Sequence, residues 1–383
     1  MFDDQLRSTN RPGVAIAPRK CQTMKRYLQK TILSAAQAAH ADNDLPSPEF
    51  EPVFIEEPKF EKQGDFSSNF AMVSAKTQKK APRQIAQAIL DHLKDERSLI
   101  DKVEIAGPGF LNFFLKPSAW PPVIGQIMDQ TSRFGAADIG RGEKIQIEFV
   151  SANPTGPLHI GHGRGAAVGD SVAKILAFCG YDVQREYYIN DSGRQITTLG
   201  RSVFLRCKEL LGERLEFPED CYQGDYIFAL ARQVLKSKDK DFFESDEKGA
   251  VAYCARFAAD AVIAGIRSDL DRFGVRFDYW FSEQTLFDSG AVDHCLKGLQ
   301  KTGMVYGHEG AQWFKTTEFG DTKDRVVVRQ NGLTTYFASD IAYHHEKFSR
   351  GFQRLIDIWG ADHHGYIPRM EAAVQALGHG KDQ

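Results

Sequence analysis

Residues 144–180 limit the possible folds of this chain more than any other stretch. Ile145, Ile147 and Phe149 alternate with polar neighbours, which predicts a strand carrying Glu148 on its opposite face, near the C-terminal end. Asn153-Pro154, Gly156-Pro157 and the glycines at 161, 163 and 165 then force a tight loop. Val168, Val172, Ile175, Leu176 and Cys179 follow at helical spacing, and Gly180 is placed to end that helix. Strand, glycine-rich loop and helix in this order make an α/β unit whose helix N-terminus is aimed at a phosphate.

Two familiar phosphate-binding patterns fail here. Gly161 and Gly163 are followed by Ala166 where the dinucleotide pattern needs glycine, and no Gly-Lys-Ser/Thr follows. What is present is His159-Ile160-Gly161-His162 followed by Gly163. Two imidazoles bracketing a glycine at a helix start can donate hydrogen bonds to a phosphate as charge builds on it. The bland alternative is a structural turn with surface histidines; the flanking strand and helix favour the functional reading.

Composition narrows the class without naming a partner. Charged residues at 26% and hydrophobic ones at 42% describe an ordinary globular chain, and a net charge of −3 leaves any nucleic-acid partner to be argued from local patches. The six cysteines include no Cys-x-x-Cys pair, so they read as reduced intracellular thiols rather than a zinc or disulfide framework. No run of 18 apolar residues suggests a membrane span.

Read in order, residues 1–23 form a disordered extension, and 24–118 a small α+β domain. That domain should comprise a helix from Met24, a strand at 52–60, a turn at 64–70, a second helix and a hairpin about Gly107-Pro108-Gly109. A linker helix fills 119–141. From 142 to 383 the pattern predicts a Rossmann-type parallel sheet, with a mainly helical insertion at about 197–280. Strands are expected again at 313–315, 324–328 and 355–359, and Pro368 opens a last helix.

Three acids, Glu148, Asp340 and Asp362, fall near strand ends or a helix entrance, where an open α/β sheet faces its ligand. Converging carboxylates suit a cation, above all a planar guanidinium, which Tyr336 could also meet. Each alone could equally be a solvated side chain. His344, His345, His363 and His364 would permit a metal-dependent hydrolase, but no H-E-x-x-H pattern supports it. Lys76, Lys79, Lys80 and Arg83 form either a solvated helix face or a phosphate-backbone patch, which raises a second alternative, an RNA-binding module without catalysis.

The residues that carry these readings resemble the bacterial-type arginyl-tRNA synthetases of class I, over nearly the whole chain from Met24. The most specific stretches are Glu148 to His162, Tyr188-Ile-Asn-Asp-Ser-Gly-Arg-Gln, Gly320-Asp-Thr-Lys-Asp-Arg-Val, Tyr336 to His344 and Gly360-Ala-Asp-His-His-Gly-Tyr. The resemblance implies activation of arginine with ATP to arginyl-adenylate and transfer to the 3′ end of tRNA-Arg. It puts ATP at His159, Ile160, Gly161, His162 and Gly163, with His159 and His162 catalytic, and it brings Mg²⁺ with the ATP rather than a resident metal. It assigns the guanidinium to Glu148, Tyr336 and Asp340, the backbone end of arginine to Asn153, and a further arginine contact to Asp362. Gly64-Asp-Phe-Ser-Ser-Asn69 looks like the family's tRNA-contacting domain, so Asn69 joins Lys76, Lys79, Lys80 and Arg83 as expected tRNA contacts. The family is cytoplasmic, with no membrane partner, and a monomer at full length. Its lysine-rich Lys-Met-Ser-Lys-Ser-like loop and its anticodon-binding domain are not in this sequence and are expected beyond Gln383, so activation by this chain is expected to be impaired.

Overall fold

In the computed structural model, which describes residues 24–380 without the side chains of 61 and 362, the chain divides into two units at Ala136/Ala137. The expectation for residues 1–23 lies outside the described residues. In the first unit α1 (Met24–Ala41) turns Leu28, Ile32, Ala36 and Ala39 onto one buried face. Next come β1 (Phe66–Ser68), the short helices α2 (Phe70–Val73) and α3 (Ala75–Gln78), and α4 (Pro82–Asp91) with proline in its first turn. The hairpin β2 (Ile100–Ala106) and β3 (Phe110–Leu115) completes an antiparallel sheet of order β1-β3-β2. Phe70, Ile85, Ile89, Leu111 and Phe113 close its core against α1.

Two expectations for this unit need correction. Residues 52–60 form no strand; the only pairing there is a single bridge between Glu56 and Ser67. Pro52 and Pro58 remove the amides a longer ladder would need, and the strand lies instead in the stretch read as a turn. The linker is helical only over α5 (Pro121–Gln130), after which Thr131–Arg133 tighten into a 3₁₀ turn.

The second unit is organised by a parallel sheet whose strands lie in the order Arg354–Ile358, Lys144–Phe149, Asp182–Ile189, Tyr279–Ser282. Its first half is β4 (Lys144–Phe149), α6 (Ile160–Phe178) and β5 (Asp182–Ile189). Ile145, Ile147 and Phe149 are buried on the face covered by α6, and Gly180, at φ +90, closes that helix. Gly169 allows the approach: a Cβ there would lie 2.2 Å from Cγ of Phe149.

The insertion consists of α7 (Arg194–Leu210), α8 (Asp225–Val234), α9 (Lys240–Ser245) and α10 (Glu247–Arg272). α10 is long and apolar enough to cross a membrane, but Ala250, Cys254 and Ala258 are spent in the core it shares with Leu199, Val203 and Cys207 of α7. The helical segment ends before 280, because β6 (Tyr279–Ser282) returns to the sheet parallel to β5. Four residues are too few for a period to show in the sequence.

After α11 (Gln284–Asp288) and α12 (Ala291–Lys301), the strands β7 (Val305–His308), β8 (Ala311–Phe314) and β9 (Arg325–Val328) form an antiparallel meander. Then α13 (Tyr336–Ser349) crosses to β10 (Arg354–Ile358), which pairs with β4 so that Asp357 lies opposite Glu148. Last comes α14 (Ile367–Ala376).

Candidate active site

At the C-terminal end of β4 the backbone bends through two non-glycine residues of positive φ, Val150 at +69° and Ser151 at +38°. A β-branched residue in the left-handed region is strained, and such strain gathers at functional sites. The bend brings the Ser151 hydroxyl back to donate to Oε1 of Glu148 at 2.9 Å, while the amide of Tyr188 donates to Ser151 Oγ at 3.1 Å. β4 and β5 are thereby tied together beside a cavity of about 480 Å³.

Of the residues expected to bind arginine, Glu148, Asn153, Tyr336 and Asp340 all line this cavity. The side chain of Asp362 lies outside what the structure describes. Asp340 sits one turn into α13 rather than at its entrance, and its Oδ2 accepts from the Tyr366 hydroxyl. Burial, opposed by that bond and by His344 but reinforced by the nearby Glu283 and Glu148, pushes its carboxyl up to about 6. Glu148 is already bonded on both oxygens, one by Ser151 and the other by Lys347 Nζ at 2.6 Å. The Asn153 amide nitrogen donates to Oε1 of Gln195 at 2.8 Å, leaving its oxygen as the group for a ligand donor. Tyr336 stands exposed at the rim.

The histidines hold the start of α6. His159 is the N-cap, and its Nδ1 accepts from the amide of Gly161 at 3.1 Å. Nδ1 of His162 accepts from the amide of His159 at 3.2 Å, and the rings stack with centroids 3.8 Å apart. With both Nδ1 lone pairs taken by backbone amides, the neutral rings carry their protons on Nε2, two outward donors at the positive end of a helix. Burial, and then His159, lower the affinity of His162 for a second proton. Ile160 is 92% exposed, and a Cβ at Gly163 would meet nothing, so the space beside this terminus is open.

The cavity rich in carboxylates lies at the end of β4, and the helix N-terminus suited to phosphate follows it along the chain; His159 and His162 are not among the residues that line the cavity. Residues 124–382 match the family described as tRNA synthetases class I (R), catalytic domain, and 23–115 match the arginyl tRNA synthetase N terminal domain. The chain belongs to the class I arginyl-tRNA synthetase family. It is 58% identical over 359 residues to the arginine--tRNA ligase of Desulfosudis oleivorans, covering 94% of this chain and 65% of that protein. Against the arginine--tRNA ligase of Geobacter sp. (strain M21) the identity is 54%, covering 93% of this chain and 64% of the relative. Among solved structures, a putative arginyl-tRNA synthetase from Campylobacter jejuni superposes with a TM-score of 0.64 at 41% identity, over 68% of this chain and 57% of that one. The Thermus thermophilus arginyl-tRNA synthetase shares the fold, with a TM-score of 0.60 at 20% identity over 93% of this chain and 63% of that one. The chain thus spans about 65% of the length of the first of these curated relatives.

Within this synthetase fold the cavity holds further residues that were not among those expected from the sequence. Glu283, almost fully buried after β6, lines it and accepts from the Ser192 hydroxyl at 2.5 Å. Asp357, on β10, also lines it and bonds His344 and Lys347, each at 2.8 Å. Lys347 did leave a signal. Tyr336, Asp340, Tyr343 and Lys347 recur at i, i+4, i+7 and i+11, a polar stripe on one face of a helix. Glu283 left none, because the strand that delivers it is so short. His345, named with the metal alternative, does not line the cavity, whereas His344 and His363 do. In the first unit Lys76, Lys79, Lys80 and Arg83 are exposed along α3 and the start of α4, and Asn69 is half-buried just before α2.

Proposed function

We propose that this chain carries the amino-acid-activating site of an arginine–tRNA ligase, which joins arginine to ATP as arginyl-adenylate and passes it to the 3′ end of tRNA-Arg. The observation that carries the reading is a cavity lined by Asp340 and Glu283, whose oxygens accept from the neutral hydroxyls of Tyr366 and Ser192, with a helix N-terminus bearing two histidines on the same unit. A guanidinium supplies the charge those acids lack, and its planar donors fit carboxylate oxygens. Tyr336 closes over it from the rim, and the free oxygen of Asn153 suits the α-ammonium group. Glu148, which lines the same pocket, offers the guanidinium the lone pairs that Ser151 and Lys347 leave on its oxygens.

The arginine α-carboxylate then attacks the α-phosphorus of ATP. A carboxyl C–O–P bond forms, the bond from the α-phosphorus to the bridging oxygen breaks, and pyrophosphate leaves with the electron pair. His159 and His162 donate Nε2–H bonds to the phosphoryl oxygens as charge builds on them, and the α6 N-terminus adds its dipole. Mg²⁺ would enter on the ATP polyphosphate. We read the enzyme as cytoplasmic and monomeric at full length, with no membrane partner.

Calorimetric titration with arginine and citrulline tests the pocket. Citrulline has the shape of arginine without its charge, and we expect it to bind at least about a hundredfold more weakly, the scale of a lost charge-assisted bond to a buried carboxylate. Equal binding of the two would overturn the assignment. ATP–pyrophosphate exchange with tRNA present tests the chemistry: exchange should depend on arginine, and exchange that proceeds equally without it would count against the reaction.

A further inference from the structure

Residues 150–159 join β4 to α6 and deliver His159 and His162. Side chains from three other elements reach in to hold this loop. The Tyr187 hydroxyl on β5 donates to the carbonyl of Ala152 at 2.9 Å, and Gln195 on α7 accepts from the Asn153 amide nitrogen at 2.8 Å. The third is Tyr226, the second residue of α8, whose hydroxyl donates to the carbonyl of Thr155 at 2.7 Å. Thr155 stands four residues before His159, so this is the tie nearest the histidines along the chain. It comes from the helical insertion, not from the sheet.

Two glycines make room for the tie. A Cβ on Gly224, just before α8, would lie 2.6 Å from the Tyr226 ring, and a Cβ on Gly156 would lie 3.3 Å from its hydroxyl oxygen. The ring itself packs on the core of the insertion, and burial, then Tyr222, raise the pKa of its phenol, so the hydroxyl stays a donor. On the other side of Gly156, Leu158 packs on the core beside β4. Thr155 and Leu158 thus fix the two ends of the approach to His159. We propose that Tyr226 is a positioning residue for the nucleotide, its hydroxyl holding the loop that sets His159 and His162 at the start of α6. The inference rests on the reading of that helix N-terminus as the phosphate site.

Calorimetric titration with ATP and Mg²⁺ tests it, in the wild type and in variants made on both sides of the bond. Tyr226→Phe keeps the ring between its glycines and removes only the donor. A loop no longer held in advance has to be ordered by the nucleotide, so ATP should bind roughly three- to tenfold more weakly, the range of one neutral hydrogen bond. Arginine should lose less than ATP, because Asp340 and Glu283 stand on other elements. Gly156→Ala attacks the same bond from the loop, since its methyl crowds the hydroxyl, and should weaken ATP as well. In the double variant the hydroxyl is gone and the methyl has space, so the loss should match that of Tyr226→Phe alone. Phe243→Leu loosens the core of the insertion without removing the tie; it should lower the melting temperature and leave ATP affinity in place.

Tyr226→Phe with the ATP affinity of the wild type, or with equal losses of ATP and arginine, would overturn the inference. So would a Phe243→Leu variant that weakens ATP as much as Tyr226→Phe does, because the tyrosine would then only support the insertion. Losses that simply add in the double variant overturn it too. If Tyr226→Phe does not fold, Gly156→Ala decides alone, and an unchanged ATP affinity there sinks the idea. A wild type that binds no ATP overturns the phosphate-site reading and this inference together, whereas a wild type that binds, with unaffected variants, overturns the inference only.

Discussion

Asp340 is the residue at which stability and function oppose one another. Its carboxyl, ordinarily near 3.8, is pushed up to about 6, chiefly by burial. The folded chain therefore keeps a proton that the unfolded chain releases, and folding stability falls as the pH rises between those two values. Binding of a guanidinium runs the other way, because it needs the ionised carboxylate. Arginine affinity should therefore rise through about pH 6 and level off above it, with proton release measurable by calorimetry in buffers of different ionisation heat. Asp340→Asn should abolish that pH dependence and weaken arginine by roughly ten- to a hundredfold, the value of a hydrogen bond to a charged group. It should also raise the melting temperature at pH 8 more than at pH 4.5. An Asn variant with the pH profile of the wild type would remove Asp340 from the guanidinium site.

At the scale of elements, the site depends on how closely α6 lies on β4. Gly169 meets the Phe149 ring so nearly that any side chain must push the helix outward, and that helix carries His159 and His162 at its start. Gly169→Ala should cost about 1–3 kcal/mol, as overpacking does, read as a lower midpoint in urea. Its nucleotide affinity should fall with arginine affinity kept, because Glu148 and Asp340 stand on other elements. A loss shared equally by both ligands would argue against this division. The unit β4–loop–α6 was legible in the sequence because its strand alternation, glycines and helical period agree over 37 residues (144–180). β6 was not, and Glu283 went unseen with it. The strand expected at 52–60 failed for the opposite reason: its apolar residues fit a strand, but its prolines cannot pair. The strained bend at Val150 had no mark at all, since valine is among the residues least suited to positive φ.

On the scale of the whole molecule, a net charge of −3 gives no general attraction for RNA, so the proposed contact with tRNA would have to come from a local surface. The exposed run Lys76, Lys79, Lys80 and Arg83 in the first unit is the candidate, and it is separate in sequence from the proposed arginine pocket of the second. Lys80 and Arg83 each donate at 2.6 Å to a backbone carbonyl, of Asp44 and Gly107, which holds them in place without spending a carboxylate on them. Lys79 has φ +47, so asparagine is the substitute that keeps its backbone. We expect the combined variant Lys76→Gln, Lys79→Asn, Lys80→Gln, Arg83→Gln to bind tRNA at least about tenfold more weakly near 0.1 M salt. The slope of log K against log salt should fall by about 0.7–0.9 for each phosphate no longer neutralised. Arginine titration of the same variant should match that of the wild type. If the salt slope is unchanged, those four side chains are only a solvated helix face, and the phosphate-binding surface must be sought elsewhere on the chain. If arginine affinity falls as well, the four substitutions disturb more than a phosphate-binding surface.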